Sequence, residues 1–76
     1  MDRYNLRMPN RIRELRLARG LTQAELAVLV GTRQNQLSRW EAGQEPRAGA
    51  AVSLATALGV RIEDLGLAQG RPAMAS

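Results

Sequence analysis

Four polar residues on one face of a predicted helix have side chains suited to reading the edges of DNA bases. They are Gln34, Asn35, Ser38 and Arg39. Residues three and four apart are neighbours on a helix surface, so these four share a face, and the apolar Leu37 and Trp40 lie opposite. An amide can pair with adenine N6 and N7, and a guanidinium with guanine O6 and N7. The pattern indicates base recognition in a major groove; the alternative is a face that is merely solvated.

Another short helix and a tight turn precede the helix that carries this face. Thr22 and Glu25 have the spacing of a capping box, which starts a helix that runs to about Val30. Gly31 stands where the turn needs a positive φ angle, and the next helix spans roughly residues 34–42. Two helices joined by a short Gly-containing turn form a helix-turn-helix unit, whose second helix can lie in a DNA groove.

Three further helices are predicted around this unit. Asn10 is a candidate N-cap for the first helix, which ends at Gly20. A fourth helix spans about residues 47–58, and a short fifth helix covers residues 62–65. The predicted divisions of the chain are a basic N-terminal arm at residues 1–9, an all-α domain at residues 10–67 and a flexible C-terminal tail at residues 68–76.

The helix-turn-helix segment and its flanks resemble the Cro/phage-repressor family, often called XRE-like. The central motif is Leu21-Thr22-Gln23-x-x-Leu26-Ala27, then Gly31, then Leu37-Ser38-Arg39-Trp40-Glu41-x-Gly43. The flanking matches are Ile12-Arg13-x-Leu15-Arg16 with Gly20, and Leu54-Ala55-x-Ala57-Leu58-Gly59-Val60 with Asp64-Leu65. The resemblance implies a compact five-helix, lambda-repressor-like domain. It also implies a transcriptional regulator that binds double-stranded DNA sequence-specifically as a homodimer and represses at an operator.

The resemblance implies a role for individual positions. Base contacts are expected at Gln34, Asn35, Ser38 and Arg39. Contacts to the DNA backbone are expected at Gln23, which in the family also braces the first recognition residue, and at Thr22, Arg33, Gln44, Arg47, Arg11 and Arg13. For Arg11 and Arg13 a solvated role is an equal alternative. An interior ion pair is expected between Arg16 and Glu41, and a dimer contact at Val60, Ile62, Leu65 and Leu67.

The composition limits the functions open to the chain. Its 76 residues suit a single domain and include no Cys and no His. Disulfides, the usual zinc ligands, thiol nucleophiles and the commonest general base are therefore missing, and we predict no metal, no cofactor and no enzymatic activity. The longest apolar run, residues 26–30, is too short to span a membrane, so a cytoplasmic location is expected. No small-molecule ligand domain is predicted.

The positive charge of the chain is concentrated at one end. Residues 1–20 hold six arginines against two acidic residues, which accounts for the whole net charge of +4. Every cationic side chain is an arginine, the residue whose planar fork suits bidentate contacts with phosphate. This distribution favours a nucleic-acid partner near the first helix.

Departures from the family pattern leave alternatives open. Arg33 and Arg47 stand where a helix-capping Ser or Thr is usual. Leu17, Val28 and Leu29 are apolar where the family exposes polar groups, and such a surface would suit a partner protein. One alternative is an antitoxin or restriction-modification controller that binds both DNA and a protein. The other is an interaction module that uses the third helix or the Val28-Leu29 surface.

Overall fold

The computed structural model describes residues 10–67, so the predicted arm (1–9) and tail (68–76) lie outside the described residues. Residues 10–67 form four α-helices and a 3-10 helix and contain no strand. The elements are α1 (Ile12–Ala18), α2 (Gln23–Val30), α3 (Gln34–Ala42), α4 (Ala48–Leu58) and the 3-10 helix (Ile62–Leu65). The predicted all-α class is confirmed.

The predicted short fifth helix is present at residues 62–65, but it is a single 3-10 turn rather than an α-helix. Its single turn is closed by a hydrogen bond from Asp64 N to the Arg61 carbonyl oxygen at 2.9 Å. Asp64 Oδ2 accepts a further bond from Arg61 N at 3.0 Å, and Gly66 ends the element. A segment this short cannot form the series of i to i−4 bonds that offsets α-helix nucleation, so it adopts the tighter form.

The start of α1 also differs from the prediction. Its N-cap is Arg11, whose side chain makes no capping hydrogen bond, rather than Asn10. Asn10 nevertheless serves the helix start, because its Oδ1 accepts from Ile12 N at 3.0 Å. Its Nδ2 donates to the Trp40 carbonyl oxygen at 2.8 Å. The buried Asn10 side chain therefore joins the start of α1 to the last turn of α3.

Local sequence signals set the turn between α2 and α3. Thr22 Oγ1 accepts from Glu25 N at 3.0 Å and Glu25 Oε1 accepts from Thr22 N at 2.9 Å, which is the predicted capping box. Gly31 adopts φ 86°, and its N–H donates to the Ala27 carbonyl oxygen at 2.8 Å. A residue with a Cβ would be strained at that angle. Glycine therefore allows the tight turn that sets α3 across α2.

A single apolar core holds the elements together. Its fully buried side chains are Ile12, Leu26, Leu37, Leu54, Leu58 and Leu65, so each of the five elements contributes at least one. Arg11 N donates to the Leu65 carbonyl oxygen at 2.9 Å, which fixes the 3-10 helix over the start of α1. Since α3 buries only Leu37 and Trp40, its other side is left exposed.

Candidate nucleic-acid interface

The polar face of α3 is solvent-exposed along its length. Its residues are Gln34, Asn35, Ser38 and Arg39, which with Gln23 of α2 line one open groove. Leu37 and Trp40 on the opposite side of α3 are only 0% and 8% exposed. The side chains of Asn35, Ser38 and Arg39 make no hydrogen bond or ion pair with any residue between 10 and 67, so their polar groups are available to a ligand.

A buried ion pair lies directly beneath this face. Arg16 Nε donates to Glu41 Oε2 at 2.6 Å and Arg16 Nη2 to Glu41 Oε1 at 3.1 Å. The two side chains are 9% and 6% exposed, and Arg16 Nη1 also donates to the Leu21 carbonyl oxygen at 2.9 Å. A bidentate pair whose guanidinium makes a third hydrogen bond to a backbone carbonyl is a geometry in which buried charges are tolerated. It joins α1 to α3, as the resemblance implies.

Gln23 connects the ion pair to the exposed face. Its Nε2 donates to Glu41 Oε1 at 3.0 Å. Its Oε1 accepts from Gln34 Nε2 at 3.4 Å. The structure therefore brings Gln23 against Gln34, the neighbour that the resemblance assigns to it, and adds a contact with Glu41 that sequence spacing did not indicate. One N–H of Gln23 is left without a partner among residues 10–67 and can serve an outside acceptor.

A second groove flanks α3 at its other edge. It is lined by residues that include Gln36, Gln44 and Arg47, and Gln36 Nε2 donates to Gln44 Oε1 at 2.9 Å. This bond uses Oε1 of Gln44 and leaves its Nε2, which can only donate, without a partner among residues 10–67. Sequence spacing does not indicate Gln36, because its partner lies in a loop eight residues away where no helical spacing applies. Arg33 and Arg47 are exposed N-cap residues without a capping side-chain bond.

The two arginines of the first helical turn occupy different surroundings. Arg13 lines a groove with Gln23 and Gln34, on the same side as the α3 face. Arg11 instead pairs with Glu14 through two hydrogen bonds of 3.2 Å, and its side chain lies beside Gly66. The hydrogen bond and then the charge of Arg11 lower the pKa of Glu14. Of the two, Arg13 is the one adjacent to the recognition surface.

Two of the four residues predicted for a dimer contact are buried in the chain's own core. Leu65 is 0% and Leu67 is 4% exposed, so neither can reach a partner while the domain stays closed. Val60 is half-buried, and Ile62 is exposed. Leu65, at the end of the 3-10 helix, and Leu67, two residues after it, both face the core, so a direct dimer contact at these two residues does not fit this structure.

Exposed apolar side chains lie at two other places. Val52 and Ile62 flank a groove of about 200 Å³ that also includes Pro46. Leu17, Val28 and Leu29 are exposed as well, as the departures from the family pattern suggested. The first group includes Ile62, which belongs to the 3-10 helix.

Two features are absent from residues 10–67: a metal-binding cluster and a membrane-spanning helix. No group of three or more His, Cys, Asp or Glu side chains in this range is arranged to hold a metal ion. No helix in the same range has the length and apolar character needed to cross a bilayer.

The short helices, the tight turn and the amide- and arginine-bearing face together define a helix-turn-helix DNA-binding domain. The model of the family HTH_3, described as Helix-turn-helix, matches residues 12–65 of this chain. The protein belongs to this family, which is of the XRE/Cro-CI type, and the resemblance seen in the sequence is confirmed. No curated protein matches the chain.

Proposed function

We propose that this protein binds double-stranded DNA sequence-specifically through α3 and regulates transcription, as a dimer that represses at an operator. The observation that carries the proposal is the exposed row of Gln34, Asn35 and Arg39 on a helix held from beneath by a buried ion pair. Side chains that read bases must be presented in a fixed register, and a helix anchored in the core provides it.

Base contacts are proposed at the four residues of the exposed face. Gln34 and Asn35 are at the N-terminal end of α3, the end that reaches base edges when a recognition helix enters a major groove. Their amides suit adenine, and Arg39 suits guanine. Ser38 lies between them and can donate or accept.

Contacts to the DNA backbone are proposed on both sides of α3. On one side are the free N–H of Gln23, the α2 N-terminus at Thr22, and Arg13. On the other side are Arg47 and the donor group of Gln44, and a further contact is proposed at Arg33, the N-cap of α3. Each neutralised phosphate would add to the salt dependence of binding, because bound counterions are released.

Dimerisation is proposed because one recognition helix reads too little DNA. It contacts only about four base pairs, which cannot select a site among the many competing non-specific sites of a genome. Two copies related by a two-fold axis would read half-sites about 34 Å apart. The exposed apolar side chains of Val52 and Ile62, together with half-buried Val60, are the proposed contact.

Selection of binding sites from random duplexes tests the proposal. The wild-type protein should enrich a palindromic motif. Asn35→Ala should relax the preference at one base position in each half-site while changing non-specific affinity little, because it removes a base contact without removing a charge. Absence of any enriched motif would contradict sequence-specific binding. Equal weakening of all sequences by Asn35→Ala would contradict the base-contact role.

A further inference from the structure

The exposed leucine of α1 has different surroundings from the exposed apolar side chains of α2. Leu17 is 56% exposed, and Val28 and Leu29 are 78% and 58% exposed. Leu17 lines an open groove of about 640 Å³ that residues of α1, the start of α2 and α3 form together. Neither Val28 nor Leu29 lines this groove. The three side chains therefore do not form one surface for a partner protein, and the exposure of Leu17 needs an explanation of its own.

The groove that contains Leu17 is continuous with the proposed base-reading face. Gln34 and Ser38 of that face line it, and Gln23 lines both this groove and the adjacent one along α3. A recognition helix in a major groove lies between two sugar–phosphate backbones. A duplex whose bases meet α3 therefore brings one backbone past the α1 side of this helix.

The charges of the groove suit an anionic strand. Two guanidinium groups, those of Arg13 and Arg16, line it. The one carboxylate among the lining residues is that of Glu41, which is buried and paired with Arg16. Arg13 makes no ion pair with another residue between 10 and 67, so its charge is available to a phosphate. One N–H of Gln23 also remains free after the bond to Glu41.

We propose that Leu17 belongs to the DNA-contact surface and packs against a deoxyribose of the strand whose phosphates meet Arg13 and Gln23. Leu17 follows Arg13 by four residues in α1, so the two side chains are neighbours on one face of the helix. Sugars and phosphates alternate along a strand, and a guanidinium beside an apolar side chain matches both. This inference rests on the proposed function, because it requires a duplex that is bound by α3.

A sugar contact carries no base information, so it adds affinity and fixes the position of α1 without altering base preference. Leu17→Ala should weaken binding to the selected motif by about fivefold per protomer, because less apolar surface is removed from water. The loss should be the same for every base variant of the motif. Leu29→Ala is the matched control: it changes the same residue type at nearly the same exposure but outside the groove, and it should bind like the wild type.

A second pair of variants tests directly whether the strand passes Leu17. In Leu17→Lys the new ammonium group should reach a phosphate. It should steepen the fall of log affinity with log salt by about 1 per protomer, because one more counterion is released. Leu29→Lys adds the same charge to the chain but should leave the slope unchanged. Salt titrations of affinity for the selected motif measure the slopes, and a melting curve for each variant shows that it is folded.

The outcomes separate this inference from the proposed function. If the wild type selects a motif but Leu17→Ala binds it as tightly, the sugar contact is wrong while DNA recognition stands. Equal salt dependence of the two lysine variants also overturns the inference and leaves Leu17 to a protein partner. A changed ratio of affinities between base variants in Leu17→Ala overturns it as well, because the side chain would then act on base reading. A wild type without any motif overturns the proposed function, and this inference with it.

Discussion

Glu41 accepts three hydrogen bonds at a position where its side chain is only 6% exposed. Its loss would leave the Arg16 guanidinium buried without a counter-charge. We expect Glu41→Ala to lower the free energy of unfolding by about 3–5 kcal/mol, as is typical when one partner of a buried pair is removed. Chemical denaturation measures this directly.

The matched control is Glu63→Ala, whose pair with Arg61 is long, at 3.7 Å, and exposed. That variant should change stability by less than about 1 kcal/mol. Equal effects of the two substitutions would show that the Arg16 pair is not stabilising.

Asn10 is a second buried polar residue whose bonds hold separate parts of the chain together. Asn10→Ala would leave Ile12 N and the Trp40 carbonyl oxygen without their side-chain partner. The Trp40 carbonyl oxygen would keep the Gly43 N–H as a partner at 3.0 Å, whereas Ile12 N would lose its side-chain acceptor. We expect a loss of about 1–3 kcal/mol, the usual cost of leaving a buried polar group unsatisfied. Thermal unfolding measures it, with Asn35→Ala as the control of the same residue type at an exposed site. A melting temperature for Asn10→Ala equal to that of the control would contradict a role for Asn10 in fixing α3.

At the scale of single elements, the proposed phosphate contact of Arg47 competes with good capping of α4. Arg47 is the N-cap of α4 and has the extended conformation of a cap (φ −71°, ψ 165°) but makes no capping bond. Arg47→Ser should stabilise the domain by about 1 kcal/mol, because a serine oxygen can accept from an orphan amide. The same change should weaken DNA binding and reduce the slope of log affinity against log salt by about 1 for each bound protomer, or about 2 for a dimer, since one phosphate contact per protomer is lost.

Unfolding curves and salt titrations on one preparation measure both effects of Arg47→Ser. Thr22→Ala should have the opposite effect and lower the free energy of unfolding, because it removes the capping box of α2. If Arg47→Ser gains stability without any change in salt dependence, Arg47 does not contact the backbone.

The elements that sequence predicts well are those fixed by neighbours along the chain. The capping box at Thr22 and the positive φ of Gly31 depend on a few adjacent residues, so their spacing was enough to predict α2 and the turn. The inward orientation of Leu65 and the form of the 3-10 helix depend instead on packing against α1 and α4, which no local pattern shows.

The sequence likewise predicts part of the candidate interface, namely the helical face, but not the contacts between elements. A shared helical face follows from periodicity, so the grouping of Gln34 with Asn35 could be predicted from the sequence alone. The contacts of Gln23 with Glu41, of Gln36 with Gln44 and of Asn10 with Trp40 join residues 8 to 30 positions apart. Such contacts exist only once the helices have packed, and only a three-dimensional structure shows them.

At the scale of the whole molecule, the arrangement of surfaces determines how two copies could read one site. The α3 face occupies one side, whereas the exposed apolar side chains of Val52 and Ile62 flank a separate groove beside the 3-10 helix. A C2 contact must be made by the same patch on both copies. Because this patch is separate from the proposed DNA-reading face, a dimer formed through it would leave both α3 helices free to enter successive turns of one duplex. If the contact is weak in the free protein, DNA binding would promote dimerisation by linkage.

A charge placed in that patch should separate dimerisation from folding. Ile62 is 36% exposed, so Ile62→Glu should leave the domain folded while two copies of the new carboxylate repel each other across a two-fold axis. Wild-type binding to a complete operator should rise more steeply than first order in protein and protect both half-sites. The variant should bind each half-site independently, with a hyperbolic curve.

Val28→Glu is the matched control, because Val28 is 78% exposed and lies outside the patch. Footprinting with quantitative titration, alongside a melting curve for each variant, distinguishes the cases. Steep binding that survives in Ile62→Glu but is lost in Val28→Glu would place the dimer contact on α2 and overturn the assignment to the 3-10 surface.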